Sequence, residues 1–152
     1  MYFTPATLEH VYALEDDLRP QDRDEIIASY GTDTVGAMRF SIEASDRPFS
    51  GWDEDGALIC IFGAAPMTAM SDTASPWCLG TSLMRPNAGE VIRHTRSWID
   101  WVQITYPKLV NYVDARNTAS LRWLAGVGFT LDPPEPYGPA GLPFHRFHKG
   151  MD

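Results

Sequence analysis

The sequence Asn117-Thr-Ala-Ser120-Leu-Arg-Trp-Leu124-Ala-Gly-Val-Gly128-Phe129 follows an apolar run at residues 109–113 and decides the fold. The run has the content of a buried strand. Asn117 can cap the first turn of a helix with its side chain, and the small Ser120 lets that helix lie close to a sheet. Gly128 supplies a left-handed residue that ends the helix, and Phe129 returns to the core. The stretch therefore predicts a strand, a capped helix and a glycine stop.

Hydrophobic periodicity places further elements on both sides of this stretch. Alternation and apolar runs predict strands, whereas apolar residues at spacings of three and four predict helices. Strands are predicted at residues 1–5, 49–52, 57–69, 77–83, 108–114, 130–131 and 144–149. Helices are predicted from residue 7 to near residue 20 and over residues 22–30, 34–44, 87–106 and 118–127. The order, with one crossover helix beside a central strand, predicts a single α+β domain over residues 1–152.

Local signals sharpen the boundaries of two helices. Thr7 is a candidate N-cap for the first helix, and Asn87 with Glu90 three residues later is close to a capping box for the long helix. Trp98 and Trp101 lie on the long helix, where large aromatic side chains over a sheet usually belong to the core. Both tryptophans are therefore predicted to be core residues.

Composition excludes several classes of function. The 152 residues include 12 Lys and Arg against 20 Asp and Glu, a net charge of −8, so the mean field repels nucleic acid and anionic membrane surfaces. No leader pattern and no apolar run of membrane length is present, which predicts a soluble, cytosolic protein. Cys60 and Cys78 lie in apolar runs and are predicted to be buried, reduced thiols. Six acidic residues near the N-terminus are predicted to lie on solvated helix faces and to have no chemical role. They are Glu15, Asp16, Asp17, Asp22, Asp24 and Glu25.

The C-terminal region contains a stiff loop and two histidines. Residues 132–143 include five prolines and two glycines, which predicts a surface loop with few hydrogen-bond donors for a sheet. This loop is either a passive connector or, through Tyr137, a protein contact. His145 and His148 are three residues apart in a predicted strand, so their side chains point to opposite faces and are not expected to share a metal ion.

The element order, together with Asn117, Ser120, Gly128 and Phe129, resembles the GCN5-related N-acetyltransferase (GNAT) fold. The resemblance implies a mixed, mainly antiparallel sheet. It also implies N-terminal helices, one long crossover helix and a C-terminal β-α-β-β segment. The family uses acetyl-coenzyme A, so acetyl-coenzyme A is the cofactor expected of an active member.

The same resemblance implies where a cofactor would bind. Asn117 and the strand backbone around Leu79 and Thr81 would hold the pantetheine arm and the thioester. The family binds the pyrophosphate with a glycine-rich turn at the start of its long helix. In this chain the turn contains three candidate anion-binding residues, Arg85, Asn87 and Gly89.

Two departures from the family pattern argue against catalysis. In the pyrophosphate turn, Pro86 removes a backbone donor and Glu90 places a negative charge beside the phosphates. Many family members protonate the departing thiolate with a tyrosine seven residues after the asparagine, where this chain has Leu124. Loss of a general acid costs about 10²–10⁴ in rate. Asp114, at the end of the central strand, is the one carboxylate that remains a candidate base.

A closer resemblance connects the chain with acetyltransferase-like internal virion or morphogenesis proteins of short-tailed bacteriophages. It rests on the Tyr106-Pro107 pair, the Asn111-Tyr112-Val113 strand, Asn117-Thr118, Leu124 and a C-terminal aromatic strand. Those proteins share both departures from the acetyltransferase pattern. The resemblance implies a catalytically degenerate protein that needs no cofactor and acts in the host cytoplasm or in the virion.

Three hypotheses about function follow from the sequence. The first is a GNAT-fold scaffold in virion morphogenesis, with phage structural or assembly proteins as partners. The second is a working N-acetyltransferase that uses acetyl-coenzyme A. The third is a phage-encoded binder of a host protein. The oligomeric state is not specified by any pattern in the chain.

Overall fold

An open, mainly antiparallel sheet of eight strands runs through the protein, described over residues 1–151 in a computed structural model. The strands are β1 (Tyr2–Pro5), β2 (Phe49–Trp52), β3 (Leu58–Pro66), β4 (Thr73–Gly80), β5 (Lys108–Asp114), β6 (Thr130–Leu131), β7 (Glu135–Tyr137) and β8 (Leu142–Lys149). The helices are α1 (His10–Asp16), α2 (Pro20–Ser29), α3 (Thr34–Ala44), α4 (Ala88–Thr105) and α5 (Thr118–Val127). The predicted α+β class and element order are therefore confirmed. Among the described residues, no helix combines the length and the apolar content needed to cross a membrane.

The sheet opens between its two central strands. Its strand order is β1-β2-β3-β4-β5-β8-β6, and β7 also pairs with β8. Every pair is antiparallel except β4 and β5, which are parallel and paired only at Thr73 with Lys108 and Ala74 with Leu109. Beyond those two pairs the strands separate towards their carboxyl ends. A slot therefore lies between the ends of β4 and β5.

Two layers of helices cover the sheet. On one face, α4 and α5 bury Trp98, Ile99 and Leu124 in the larger hydrophobic cluster. On the other face, α1, α2 and α3 form a second cluster that includes Leu14 and Met38. Because apolar residues recur every three or four positions along α4, one stripe of that long helix is buried, as predicted.

The segment from β5 through α5 has the predicted local structure. The Asn117 side-chain oxygen accepts the Ser120 backbone N–H at 3.1 Å and so caps α5. Gly128 has a φ of +92°, and the Phe129 N–H donates to the Leu124 carbonyl at 3.0 Å. The predicted strand, cap and glycine stop are confirmed.

Strand β4 begins earlier than predicted and includes a proline. It starts at Thr73 instead of residue 77 and ends at Gly80, after which Ser82–Met84 form a 3₁₀ turn. Pro76 is opposite Ala64 in β3. Its missing N–H is on the edge that faces the slot, because backbone groups alternate in direction along a strand. Proline therefore costs β4 no ladder hydrogen bond.

The predicted N-cap at Thr7 is wrong, whereas Asn87 is the N-cap residue of α4 as predicted but makes no side-chain capping bond. The first helix begins at His10, and the Thr7 backbone N–H donates to His10 Nδ1 at 3.2 Å. The Asn87 side chain donates to the Leu83 carbonyl at 2.8 Å, so it forms no capping box with Glu90. In both places a local side-chain contact outcompetes the cap geometry.

The prediction that Trp101 is buried is also wrong. Trp98 is 8% exposed and belongs to the core, whereas Trp101 is 45% exposed, with the Arg47 guanidinium 5.8 Å from its ring. A spacing of three residues stops about 60° short of a full turn, so Trp101 lies beside Trp98 at the edge of the buried stripe, where solvent reaches it.

The predicted proline loop at residues 132–143 contains a short strand. Within it, β7 pairs with β8, which itself begins at Leu142. Tyr137 stacks on Tyr112 with ring centroids 4.3 Å apart, and Gly138 packs against the Ala28 carbonyl of α2. The β7–β8 hairpin therefore packs on β5 and α2.

We predict that Gly128→Ala destabilises the protein by about 1 kcal/mol, because an L-residue is strained at the left-handed φ of +92°. Chemical denaturation measures the loss. The matched control is Gly89→Ala, since Gly89 lies in the first turn of α4 with open space around its Cα. An equal loss of stability in both variants would contradict the assignment of strain to Gly128.

Candidate functional site

Helix α2 closes the carboxyl-terminal end of the slot with two carboxylates. Asp22 Oδ2 accepts the Gly80 backbone N–H at 2.8 Å, at the end of β4. Glu25 Oε1 accepts the Asp114 backbone N–H at 2.8 Å, at the end of β5. We call these two carboxylates the α2 clamp. The clamp binds a backbone donor from each of the two separated strands.

Asn117 connects the α2 clamp to the first turn of α5. Its side-chain nitrogen donates to Asp22 Oδ1 at 3.0 Å and lies 3.3 Å from Glu25 Oε1. Its oxygen is used by the Ser120 N–H, and the residue is fully buried. The side chain expected to contact a thioester is thus fully engaged within the protein.

Arg19 compensates the buried charge of Asp22. Its Nε and Nη2 donate to the two carboxylate oxygens at 2.9 and 3.1 Å. The Asp22 side chain is 0% exposed and that of Arg19 is 13% exposed, so the pair is largely removed from water. The Arg19 backbone N–H also donates to the Gly80 carbonyl at 2.9 Å. The prediction that Asp22 lies on a solvated face is therefore wrong.

Glu25 is the most strongly perturbed acid of the site. Burial raises the pKa of its carboxyl to about 8, the Asp114 N–H opposes that rise, and the charge of Asp22 adds to it. Two carboxylates on one helix cannot both be ionised cheaply when they share the Asn117 amide. Near neutral pH, Glu25 is therefore mostly protonated.

Asn111 bridges the slot nearer its base. Its side-chain nitrogen donates to the Pro76 carbonyl of β4 at 3.0 Å. Its side-chain oxygen accepts the Tyr112 N–H of β5 at 2.8 Å. One amide side chain thus serves both strand edges in place of a direct strand pairing.

A gap of only about 50 Å³ is left between Asn111 and the α2 clamp. Cys78, Val113, Ser120 and Leu124 are among its lining residues. The adjacent Cys60 thiol and burial hold the pKa of the Cys78 thiol well above its ordinary value. A thiol in that state is a poor nucleophile. The gap is therefore small, and the thiol that lines it is not activated as a nucleophile.

Leu79 and Thr81 direct their polar groups away from the slot. Leu79 is opposite Ile61, and the alternation along β4 turns its backbone groups towards β3. The Thr81 N–H donates to the Ile59 carbonyl at 3.0 Å, and its hydroxyl donates to the Leu58 carbonyl at 2.7 Å. Of residues 79–81, only Gly80 presents its backbone to the slot, and the α2 clamp and Arg19 occupy it.

A larger cavity of about 560 Å³ opens beside the N-terminal end of α4. Arg85 lines it, whereas the neighbouring Asn87 and Gly89 are not among its lining residues. Trp123 borders both this cavity and the gap, and its indole N–H donates to the Thr95 hydroxyl at 2.8 Å. The structure therefore brings Arg85 to a cavity whose lining includes Trp123, which also lines the gap in the slot.

Asp114 is poorly suited to accept a proton. Burial alone would raise its pKa, but the Arg116 side chain, its backbone N–H and its charge together lower the pKa below the ordinary value. The Arg116 guanidinium is 2.7 Å from Asp114 Oδ2. Leu124, at the general-acid position of the family, is 1% exposed and has no proton to donate.

The sequence analysis missed both residues of the α2 clamp. A usable signal was present, because Asp22, Glu25 and Ile26 fall on one face of a helix. Arg19, three residues before Asp22, supplies a counterion on that face. Acidic residues that share a helix face with an apolar residue and a nearby arginine indicate a buried ion pair as readily as a solvated surface.

Comparison with known proteins identifies the fold. No protein-family model and no curated protein sequence matches the chain. A GCN5-related N-acetyltransferase from Kribbella flavida has a TM-score of 0.70 and 17% identity over 99% of this chain and 97% of that one. A ribosomal-protein-alanine N-acetyltransferase from Brucella melitensis has a TM-score of 0.65 and 15% identity over 99% and 100%. A mutant spermidine N-acetyltransferase from Vibrio cholerae has a TM-score of 0.67 and 11% identity over 98% and 94%.

These similarities define the class of structure. The mixed sheet and its helices match the Kribbella flavida protein over almost the whole of both chains. The chain therefore has the GCN5-related N-acetyltransferase fold. Sequence identities of 11–17% establish that fold and leave the reaction to be argued from the site.

We predict that Glu25→Gln removes a pH dependence of stability. The folded protein keeps the Glu25 proton up to about pH 8, whereas the unfolded chain releases it near 4.5, so wild-type stability falls as pH rises between these values. The largest slope is about 1.4 kcal/mol per pH unit. Glutamine keeps the acceptor for Asp114 but does not titrate, so denaturation curves at pH 6 and 8 should differ less. The exposed control Glu43→Gln should retain the wild-type dependence.

We predict that Asp22→Ala costs about 3 kcal/mol, because it leaves the Arg19 charge and the Gly80 N–H without their partner. The exposed neighbour Asp24→Ala should cost less than about 0.5 kcal/mol. Urea denaturation of both variants measures the difference. Similar midpoints for the two would show that the α2 clamp contributes little to stability.

Proposed function

We propose that this GNAT-fold protein does not transfer acyl groups and acts as a component in the assembly of a bacteriophage particle. The absence of acyl transfer is proposed because the protein's own side chains occupy the slot. The groups that an extended cofactor arm would contact, the Gly80 N–H and the Asn117 side chain, are bound to the protein's own carboxylates. The remaining gap of about 50 Å³ is room for only a few water molecules.

Missing chemistry supports the same proposal. An acyl transfer to an amine needs a group that accepts the amine proton and benefits from one that protonates the thiolate. Asp114 is held ionised by Arg116, and Leu124 is an apolar side chain in the position of the acid. Neither residue supports the reaction in the geometry observed.

The proposed phage role rests on the resemblance at residues 106–129. That segment combines the Tyr106-Pro107 pair, the Asn111-Tyr112-Val113 strand and Leu124. Within that segment, Asn111 bridges β4 and β5 through its side-chain amide. Phage structural or assembly proteins would then be the partners, in the host cytoplasm or in the particle.

One observation favours N-acetyltransferase activity as a second candidate. Glu25 has a pKa of about 8 at the end of the slot, so its carboxylate form, which prevails above that pH, is basic enough to take a proton from an amine. This candidate requires α2 to move, because Gly80, Asp114 and Asn117 are released only when the clamp opens. Acetyl-coenzyme A would be the cofactor.

Ligand-dependent melting distinguishes the two candidates. Binding at 100 times the dissociation constant stabilises a protein by about 2.7 kcal/mol. We expect 1 mM acetyl-coenzyme A to leave the melting temperature of this protein unchanged, and to raise that of an active acetyltransferase measured as the control. A shift of several degrees that saturates with acetyl-coenzyme A would contradict the non-catalytic proposal.

A genetic experiment tests the role in assembly. Deletion of the gene from the phage that carries it should lower the yield of infectious particles, and a supplied wild-type copy should restore it. The protein should also be found in particles or assembly intermediates. Normal yield after deletion, with a host protein copurifying in stoichiometric amount, would instead favour the third hypothesis, a binder of a host protein.

A further inference from the structure

We propose that the 560 Å³ cavity beside α4 is a docking site for an acidic segment of a partner protein that inserts an apolar side chain. This inference rests on the proposed non-catalytic function and names the chemistry of the partner. The cavity volume lies within the range of about 300–1,000 Å³ that ligand sites in proteins occupy.

The floor of the cavity is apolar. Met84, Val91, Ile92 and Trp123 line it, and three of them are buried while Ile92 is partly exposed. Ile92 also packs closely against Gly126 of α5, so the two helices hold this floor in place. Burial of one large apolar side chain there would therefore stabilise a complex.

Two arginines at the cavity define the charge of the partner. Arg85 and Arg122 are both exposed, and within residues 1–151 neither forms an ion pair with a carboxylate. Arg19, the third arginine there, is neutralised by Asp22. The chain has 20 acidic and only 12 basic residues, yet two arginines without a carboxylate partner line this cavity. They select carboxylates on the partner.

Two carboxylates close to the cavity in sequence or contact do not line it. Asp17 accepts hydrogen bonds from the Ser82 hydroxyl and N–H at 2.5 and 3.2 Å. Glu90 lies 3.9 Å from the N-terminal ammonium group. Neither carboxylate is among the residues that line the cavity, whereas Arg85 and Arg122 both are.

A nucleotide or coenzyme A thioester fits the cavity less well. Trp123 is the one aromatic residue of its lining, and that ring is 7% exposed with its N–H bound to Thr95, so it offers little face for a base to stack on. The slot that a pantetheine arm would enter is closed by the α2 clamp. A peptide segment needs neither a stacking face nor a slot.

Fluorescence anisotropy with two labelled peptides tests the proposal. The first peptide carries a central Leu-Phe pair flanked by two glutamates on each side, and the second has lysines in place of the glutamates. We expect the acidic peptide to bind with a dissociation constant of about 100 μM or tighter, and the basic one not to bind. Arg85→Glu with Arg122→Glu should weaken binding at least about tenfold. The control Arg39→Glu, on exposed α3 surface, should bind as the wild type does.

The possible results separate this inference from the proposed function. If neither peptide binds, or if the double variant binds the acidic peptide as well as wild type, the docking site is refuted while the non-catalytic function stands. If acetyl-coenzyme A binds and the same two substitutions abolish its binding, the cavity is a cofactor site and both proposals fail. Melting curves of each variant exclude loss of folding as the cause.

Discussion

The hydrogen bonds from the Gly80 and Asp114 N–H groups to Asp22 and Glu25 are the contacts on which the rest of the site depends. Strands β4 and β5 pair at only two positions, so their ends would otherwise expose unpaired backbone donors to a cleft in the sheet. Helix α2 supplies the acceptors, and Arg19 with Asn117 completes the network. The opening in the sheet is thus closed by the protein's own side chains.

That closure accounts for the chemistry of the site. A buried charge is stable only when it is paired and hydrogen-bonded, and Asp22 has Arg19, Gly80 and Asn117 as partners. Glu25 has fewer stabilising partners than Asp22, and burial therefore raises the pKa of its carboxyl. The same interactions that stabilise the slot occupy the groups that acyl transfer would require. On the proposed non-catalytic function, the fold is retained while the geometry of the reaction is not.

The parts of the structure that were predictable from sequence are those set by local backbone geometry. Asn117, Ser120 and Gly128 have partners within a few residues, so strand, cap and stop could be predicted, and the element order gave the fold class. The burial of Asp22 and Glu25 had a signal in the sequence, but their partners could not be predicted, because the two carboxylates bind residues 58 and 89 positions away. Helical spacing shows that two acids share a face, but it does not show which element meets that face. Pro76 in β4 was missed for the same reason, since only the pairing reveals that its edge faces the slot.

Amide hydrogen exchange tests the central claim, closure of the slot by α2, most directly. Gly80 and Asp114 lie on strand edges without a neighbouring strand, yet their N–H groups should exchange as slowly as those of paired residues such as Leu79, because the α2 clamp binds them. Cys78, whose N–H faces the remaining gap, should exchange faster, and acetyl-coenzyme A should change none of these rates. Exchange of Gly80 and Asp114 as fast as that of Cys78, or protection that develops only with acetyl-coenzyme A, would contradict the account.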